Sequence, residues 1–192
     1  MKKVLTVLGL MMALALVALA ASAVAPASFA GTWKLDKEKS QGLDPRMQNA
    51  ESVVWTITQD DKQITVDSKM TAGQPPAGAP AGGPGSGGPG GGGGRGGGGM
   101  GGPRTYTLDG KEVTSEAGGQ MGGSNAMKSS WSTDGKTLDL SSVRSGSFNG
   151  TDFKSTSSDK MSLSADGKVL TVVRHSESPR GTQDSTLVFN KQ

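Results

Sequence analysis

The chain has 192 residues, with 20 Lys and Arg, 17 Asp and Glu, one histidine and no cysteine. The missing cysteines exclude disulfides, thiolate nucleophiles and cysteine-ligated metals. Lys2 and Lys3 belong to a predicted leader segment, and the rest of the chain has 18 basic and 17 acidic residues. This near-zero net charge predicts no nucleic-acid binding.

The first element is a leader, predicted over residues 1–23. It has a charged start at Met1-Lys2-Lys3, an apolar run from Val4 to about Ala20, and the small residues Ala21-Ser22-Ala23. This order is typical of a secretory signal peptide. We expect cleavage between Ala23 and Ala30 and export to the periplasm or the extracellular space. An apolar run of about 17 residues is at the short limit for spanning a bilayer, so no stable membrane insertion is expected after cleavage.

Residues 24–192 are predicted to form a single all-β domain. Alternation of period two begins near Trp33, which shares a face with Leu35. The stretch 36–51 is the only plausible place for a helix, of one or two turns. Four segments then repeat one pattern, an apolar pair, a turn built on Asp-Gly-Lys or a close relative, and another apolar pair: 55–66, 106–113, 131–140 and 161–172.

Each of these segments is predicted to be a β-hairpin, because Asp-Gly supplies the positive φ of a tight turn. The expected pairs include 104–108 with 111–117, and further turns are expected at 145–147, 149–150 and 179–181. About ten strands joined by tight turns predict an antiparallel up-and-down meander. Closing it into a barrel of about 8–10 strands would remove its exposed edges.

A glycine-rich insertion interrupts the pattern at residues 73–102, where 18 of 30 residues are glycine. With few apolar side chains it is predicted to be a disordered loop within the barrel domain. The insertion lacks the Gly-Lys-Ser/Thr sequence of a phosphate-binding loop. An RNA-binding Arg-Gly-Gly tract contains several arginines, whereas this insertion contains only Arg95.

The segment Gly31-Thr32-Trp33 resembles the Gly-x-Trp motif that begins the first strand of lipocalins and other calycins. A longer pattern is similar to a group of exported bacterial lipocalin-like (calycin-like) β-barrel proteins with no established activity. It comprises residues 31–36 with Lys39-Ser40, 106–112, 163–168 and 187–192. The resemblance implies a lipocalin-like barrel and no particular activity.

The resemblance also implies that Gly31 and Trp33 form one end of the barrel, with an arginine from a late strand packed on Trp33. Arg174 is the candidate, because it shares parity with Leu170 and Val172. Arg144 is the alternative on the same reasoning, and a third reading is that both strands leave the core at these points.

The sequence offers no catalytic constellation, so we expect no enzyme, no metal site and no cofactor. His175 is the only histidine and is predicted to lie on the surface, because it faces away from Arg174 and no partner orients it for general base catalysis. No histidine pair is present to hold zinc.

The thinly filled apolar interior from Ser124 to Ser158 is consistent with a cavity and equally consistent with a partly exposed sheet. The leading hypothesis is a binding module for a small apolar or amphipathic ligand. Eight residues are the candidate lining: Trp55, Ile57, Tyr106, Leu108, Trp131, Leu138, Leu170 and Val172. The alternative is a structural or interaction protein of the bacterial envelope or extracellular matrix. The sequence indicates neither the ligand nor the oligomeric state.

Overall fold

The computed structural model describes residues 26–73, 102–116, 123–148 and 151–192. These residues form one short helix and ten strands. In chain order they are β1 (Gly31–Leu35), α1 (Pro45–Asn49), β2 (Ala50–Gln59), β3 (Gln63–Ala72), β4 (Arg104–Thr107), β5 (Val113–Glu116), β6 (Gly123–Trp131), β7 (Thr137–Phe148), β8 (Thr151–Leu163), β9 (Val169–Ser178) and β10 (Gly181–Lys191).

All ten strands belong to one antiparallel sheet in the order β4-β3-β2-β1-β10-β9-β8-β7-β6-β5. The first and last strands pair, with Trp33 opposite Lys191 and Leu35 opposite Phe189. The sheet therefore curls into a nearly closed barrel whose edges are β4 and β5. This confirms the predicted all-β meander and its strand number.

One end of the barrel, the closed end, is plugged by the segment 26–30. Phe29 is fully buried, and its ring stacks on Trp131 with centroids 5.9 Å apart. Gln59 fixes the segment, because its Oε1 accepts from Phe29 N at 2.9 Å and its Nε2 donates to Ala27 O at 3.1 Å. Trp33 Nε1 donates to Phe29 O at 2.8 Å. The opposite end, the mouth, carries α1.

The Asp-Gly turns at 134–135 and 166–167 share one set of hydrogen bonds. Asp134 Oδ1 accepts from Lys136 N at 3.1 Å and from Ser132 Oγ at 2.6 Å. Asp166 makes the same two bonds with Lys168 and Ser164. The serine bond, followed by the backbone bond, lowers the pKa of both aspartates. The hairpins β6–β7 and β8–β9 are confirmed, as is the β2–β3 hairpin.

The predicted pairing of 104–108 with 111–117 is wrong. The turn itself forms, with Gly110 at φ 76° and Asp109 Oδ1 accepting from Lys111 N at 3.0 Å. However, β4 pairs with β3 and β5 pairs with β6. The two strands separate because each finds its ladder on the side away from the other, and this leaves the gap between the sheet edges.

The turn predicted at 145–147 is also wrong, since these residues lie within β7. Ser145 pairs with Lys154 and Gly146 pairs with Phe153 in the β7–β8 ladder. Ser124 Oγ and Ser145 Oγ also lie 3.0 Å apart across β6 and β7. Serine hydroxyls that bond across strands are compatible with a sheet, so the polar composition did not break the strand.

Several other predictions stand. The turn at 179–181 connects β9 to β10, and α1 lies within 36–51, where Asp44 Oδ1 caps it by accepting from Arg46 N and Met47 N. The leader 1–23, most of the glycine-rich tract 73–102 and the turn at 149–150 lie outside the described residues. Within the described ranges, no helix is long and apolar enough to cross a membrane.

Candidate binding site in the barrel interior

The barrel interior changes from apolar to polar in three rows of side chains that cross β6–β10. Inward-facing residues of neighbouring strands are paired in register, so each row can be followed from strand to strand. The row nearest the closed end is Trp131, Leu138, Met161, Val172 and Leu187. The middle row is Ser129, Leu140, Asp159, Arg174 and Ser185. The row nearest the mouth is Met127, Ser142, Ser157, Ser176 and Gln183.

Burial follows the same order. Leu138, Met161 and Val172 in the first row are fully buried. In the third row the three serines are only partly buried and Gln183 is exposed. Thus the chain's own side chains fill the closed end, the middle row is still largely buried, and solvent reaches the row nearest the mouth.

A buried ion pair dominates the middle row. Arg174 Nε donates to Asp159 Oδ1 at 2.6 Å and Nη2 donates to Oδ2 at 2.7 Å, which is a two-point contact between planar groups. The side chains are 13% and 6% exposed. Burial lowers the pKa of Arg174, but the Asp159 hydrogen bond and charge outweigh it, and the net shift is upward. Arg174 is therefore charged, and it is paired with the opposite charge of Asp159 in a buried ion pair.

Trp55 lies beside this pair. The Arg174 guanidinium carbon is 5.6 Å from the centroid of the indole ring, a cation–π distance. The ring also packs on Phe189, with centroids 4.6 Å apart. Trp55 is 2% exposed, and its Nε1 is buried without a hydrogen-bond partner in the described structure. Buried polar groups nearly always have a partner, so this donor is unusual among the described side chains.

Tyr106 brings β4 into the same layer from the other side of the barrel. Burial, the largest influence, raises the pKa of its hydroxyl, and the neighbouring Ser142 side chain acts in the opposite direction. Ser129 provides a direct link across the gap, because its Oγ donates to Thr107 O at 2.5 Å. The gap between the sheet edges is thus bridged at the level of the middle row.

A cleft of about 360 Å³ lies at the mouth, between α1 and the ends of β2 and β3. Met70, which is 37% exposed, faces it on the inward register of β3. The same register continues to Ser68, which is paired with Trp55. The whole lining is Pro45, Arg46, Asn49, Ala50, Met70, Ala72 and Gly73. Two residues of a strand span about 7 Å, so the cleft begins one row from the indole of Trp55.

The structure brings the eight predicted lining residues into one apolar cluster. Six of them are buried, and Leu108 and Trp131 are partly buried against the others. Most of them fill the closed end and contact each other. Only Trp55 and Tyr106 reach the middle row around the Arg174–Asp159 pair, which we call the polar layer. Their role as ligand contacts stays a prediction.

Gly31 and Trp33 lie in β1, next to the plug, and their role as the barrel end stays a prediction. Gly31 has φ 141°, and a Cβ there would lie 3.1 Å from Lys191 Cε, so a side chain would be both strained and crowded. The predicted contact of Arg174 with Trp33 is wrong, because Lys191 Nζ lies 5.2 Å from the centroid of Trp33 and Arg174 packs on Trp55 instead. Trp33 and Trp55 are paired in register across β1 and β2, and Arg174 packs on the Trp55 member of this pair.

The alternative arginine, Arg144, is exposed and lies 5.9 Å from the ring centroid of Phe153. The inward position predicted for Arg174 is correct, so the third reading does not hold for β9. The sequence reasoning missed Asp159. It shares parity with Met161 and Leu163, and an acid on the inward register beside an inward arginine was the signal that could have identified it.

His175 lies on the outer face, and its side chain is 49% exposed. Its Nδ1 is 2.6 Å from Asp184 Oδ1 and its Nε2 is 3.4 Å from Glu177 Oε1. These two hydrogen bonds, that to Asp184 first, raise the pKa of His175. In the described part of the chain, no group of three or more histidine, aspartate or glutamate residues could hold a metal ion.

The topology and the interior together define a nearly closed, ten-stranded up-and-down barrel of lipocalin-like architecture, with a polar layer between a filled end and an open one. No protein-family model matches the chain. The search of curated proteins also found no match.

Among solved structures, the crystal structure of zebrafish ileal bile acid-binding protein complexed with cholic acid matches this chain. The identity is 14% and the TM-score is 0.43, and the match covers 85% of this chain and 98% of that one. At that identity and TM-score, the likeness says nothing about what this chain binds.

Proposed function

We propose that this chain is an exported binding protein for a small amphipathic ligand, and not an enzyme. The observation that carries the proposal is the graded interior, in which three rows pass from buried apolar residues through the Arg174–Asp159 pair to partly exposed serines. A barrel filled only for stability would gain more from apolar residues in the second and third rows, because burying a charged pair seldom stabilises a fold.

The proposed site is the polar half of the interior together with the cleft at the mouth. The volume of about 360 Å³ falls in the range of small-molecule sites. The cleft offers apolar carbon from Met70 and Ala50, and the layer below it offers hydrogen-bonding groups at Trp55 and Tyr106. An amphipathic molecule matches this order, with its apolar body in the cleft and its polar end toward the layer.

Native mass spectrometry of the protein purified from its source tests the binding function. We expect an additional non-covalent mass that disappears on denaturation and is identified in an organic extract. The matched control is the Ser142→Phe variant, whose added ring would occupy the polar half, and it should carry less of the bound compound. A source-purified protein that is always empty would contradict the proposal.

Export is tested separately. We propose that residues 1–23 direct it, in line with their charged start and apolar run. Sequencing the N-terminus of the protein recovered outside the cytoplasm should give a start between Val24 and Gly31. Recovery of the intact Met1 start from that fraction would show that no leader is removed.

A further inference from the structure

The electrostatics of the polar layer restrict the kind of ligand head that it accepts. Four charged groups act on the layer. Arg174 and Asp159 form the two-point pair, Asp44 at the start of α1 acts on Arg174, and Arg104 acts on Tyr106. These four groups carry two positive and two negative charges, so together they give the layer no net charge. Arg46, which lines the cleft above the layer, is a further positive group at the mouth.

The unpartnered donor in the layer is neutral. Trp55 Nε1 is buried and has no acceptor in the described structure, and an indole N–H can only donate. What it needs is an oxygen or another acceptor. A ligand that supplied a carboxylate would have to lose its hydration without gaining a compensating positive charge, because the Arg174 charge is already matched by Asp159. A hydroxyl, ester or amide oxygen would satisfy the same donor with far less desolvation.

We infer that the barrel selects an uncharged amphipathic ligand, whose head oxygen accepts a hydrogen bond from Trp55 Nε1 beside the neutral Arg174–Asp159 pair. This inference rests on the proposed binding function. Asp159 acts as the selectivity residue, because its charge cancels the attraction that Arg174 alone would exert on an anion. Trp55 supplies the directional contact.

The experiment compares two probes that differ only in the head, dodecan-1-ol and dodecanoate. Isothermal titration calorimetry is run at about pH 8, where a free carboxylic acid is ionised. We expect the wild-type protein to bind the alcohol at least roughly ten times more tightly than the carboxylate, the factor expected from one unfavourable buried charge. Equal affinities, or tighter binding of dodecanoate, would overturn the inference while leaving the binding function in place.

Asp159→Asn tests the selectivity residue. It keeps the shape and one hydrogen bond of the side chain but leaves the Arg174 charge unmatched, so the preference for the alcohol should fall by about tenfold or reverse. The matched control is Asp139→Asn, which changes an outward-facing aspartate 4.0 Å from Lys160 on the same face of the sheet and should leave both affinities unchanged. An unaltered preference in D159N would overturn the inference.

Trp55→Phe tests the donor without relying on D159N, which loses part of a buried pair. Phenylalanine retains an aromatic contact with Phe189 and removes only the N–H and one ring. Binding of the alcohol should weaken by about fivefold to tenfold, as for one lost hydrogen bond, while circular dichroism confirms the fold. A water molecule bonded to Trp55 would instead leave the affinity unchanged and overturn the inference. If the wild-type protein bound neither probe, both the inference and the proposed site would be rejected.

Discussion

At the scale of single residues, we expect the buried Arg174–Asp159 pair to make a large contribution to the stability of the barrel interior. Replacing Asp159 by alanine leaves a guanidinium charge in a site where it is 13% exposed. We expect the free energy of unfolding to fall by about 3–5 kcal/mol, as for other broken buried pairs. Urea denaturation followed by circular dichroism measures it.

The control for this prediction is Asp139→Ala, whose partner Lys160 is 4.0 Å away and well exposed. A loose surface pair contributes at most about 1 kcal/mol. If the two alanine variants lost similar amounts of stability, the prediction that the buried pair matters more for stability than the exposed pair would be contradicted.

His175 gives a prediction for pH. Its pKa is raised in the folded protein by Asp184 and then Glu177, so its protonated form stabilises the fold. That contribution is fully present below the unfolded pKa of about 6.5 and is lost as the pH rises through the folded value. We therefore expect the His175→Asn variant to melt below the wild-type protein at about pH 6 and together with it at about pH 9.

Asp184→Asn should remove most of the same difference, because Asp184 makes the shorter contact with His175. A melting difference between the wild-type protein and H175N that is constant across this range would show that the histidine acts through packing instead of charge.

At the scale of elements, the plug and β1 depend on Trp33. Its ring is fully buried and its Nε1 holds the carbonyl of Phe29 at 2.8 Å. Trp33→Ala should lower the free energy of unfolding by about 3–5 kcal/mol, the usual cost of truncating a buried aromatic side chain. Val173→Ala, at an outward position that is 51% exposed, should change it by less than about 0.5 kcal/mol. An unchanged melting temperature for W33A would rule out the role of Trp33 at the closed end.

The gap between β4 and β5 is bridged near the middle row by a side-chain hydrogen bond. Ser129 is 1% exposed, and its hydroxyl bonds to Thr107 O in the opposite edge strand. Ser129→Ala removes that partner from the carbonyl, and we expect a loss of about 1–3 kcal/mol. Hydrogen exchange of β4 amides should accelerate in this variant and remain normal in Ser130→Ala, which changes the exposed neighbour. Equal exchange in both would mean that the gap is held by other contacts.

At the scale of the whole molecule, local chemistry predicted most of the strands. Period-two alternation placed Trp55 and Ile57 inside, and the Asp-Gly turns at Asp134 and Asp166 predicted two hairpins with their register. These features depend on neighbours within about ten residues. The wrong prediction that β4 pairs with β5 has a non-local cause. The turn at Asp109 forms as expected, but β4 pairs with β3 and β5 pairs with β6, and these partners are not set by the turn between β4 and β5.

The candidate site was predictable only in part. Parity placed Arg174 inside, and Trp55 and Tyr106 were expected to line the interior. Asp159, the partner of Arg174, could not be identified from one strand alone, since the contact between them depends on the β8–β9 register. Likewise, the unpartnered Nε1 of Trp55 is a property of its surroundings. Sequence patterns give the direction of a side chain, whereas the balance of donors, acceptors and charges requires the assembled barrel.

The β4–β5 gap also has a consequence for chain connectivity. Because β1 pairs with β10 and no ladder joins β4 to β5, a circular permutant could be opened between Asp109 and Gly110 and closed by a short linker from Gln192 to Pro26. It would keep every strand pair and make the β1–β10 contact local, so it should refold at least as fast as the parent chain. A permutant opened between Asp166 and Gly167 would turn the β8–β9 hairpin into a long-range pair and should refold more slowly. Stopped-flow refolding measures both rates. Faster refolding of the permutant opened between Asp109 and Gly110 would show that the chain can be cut at the β4–β5 gap without losing a local strand pair.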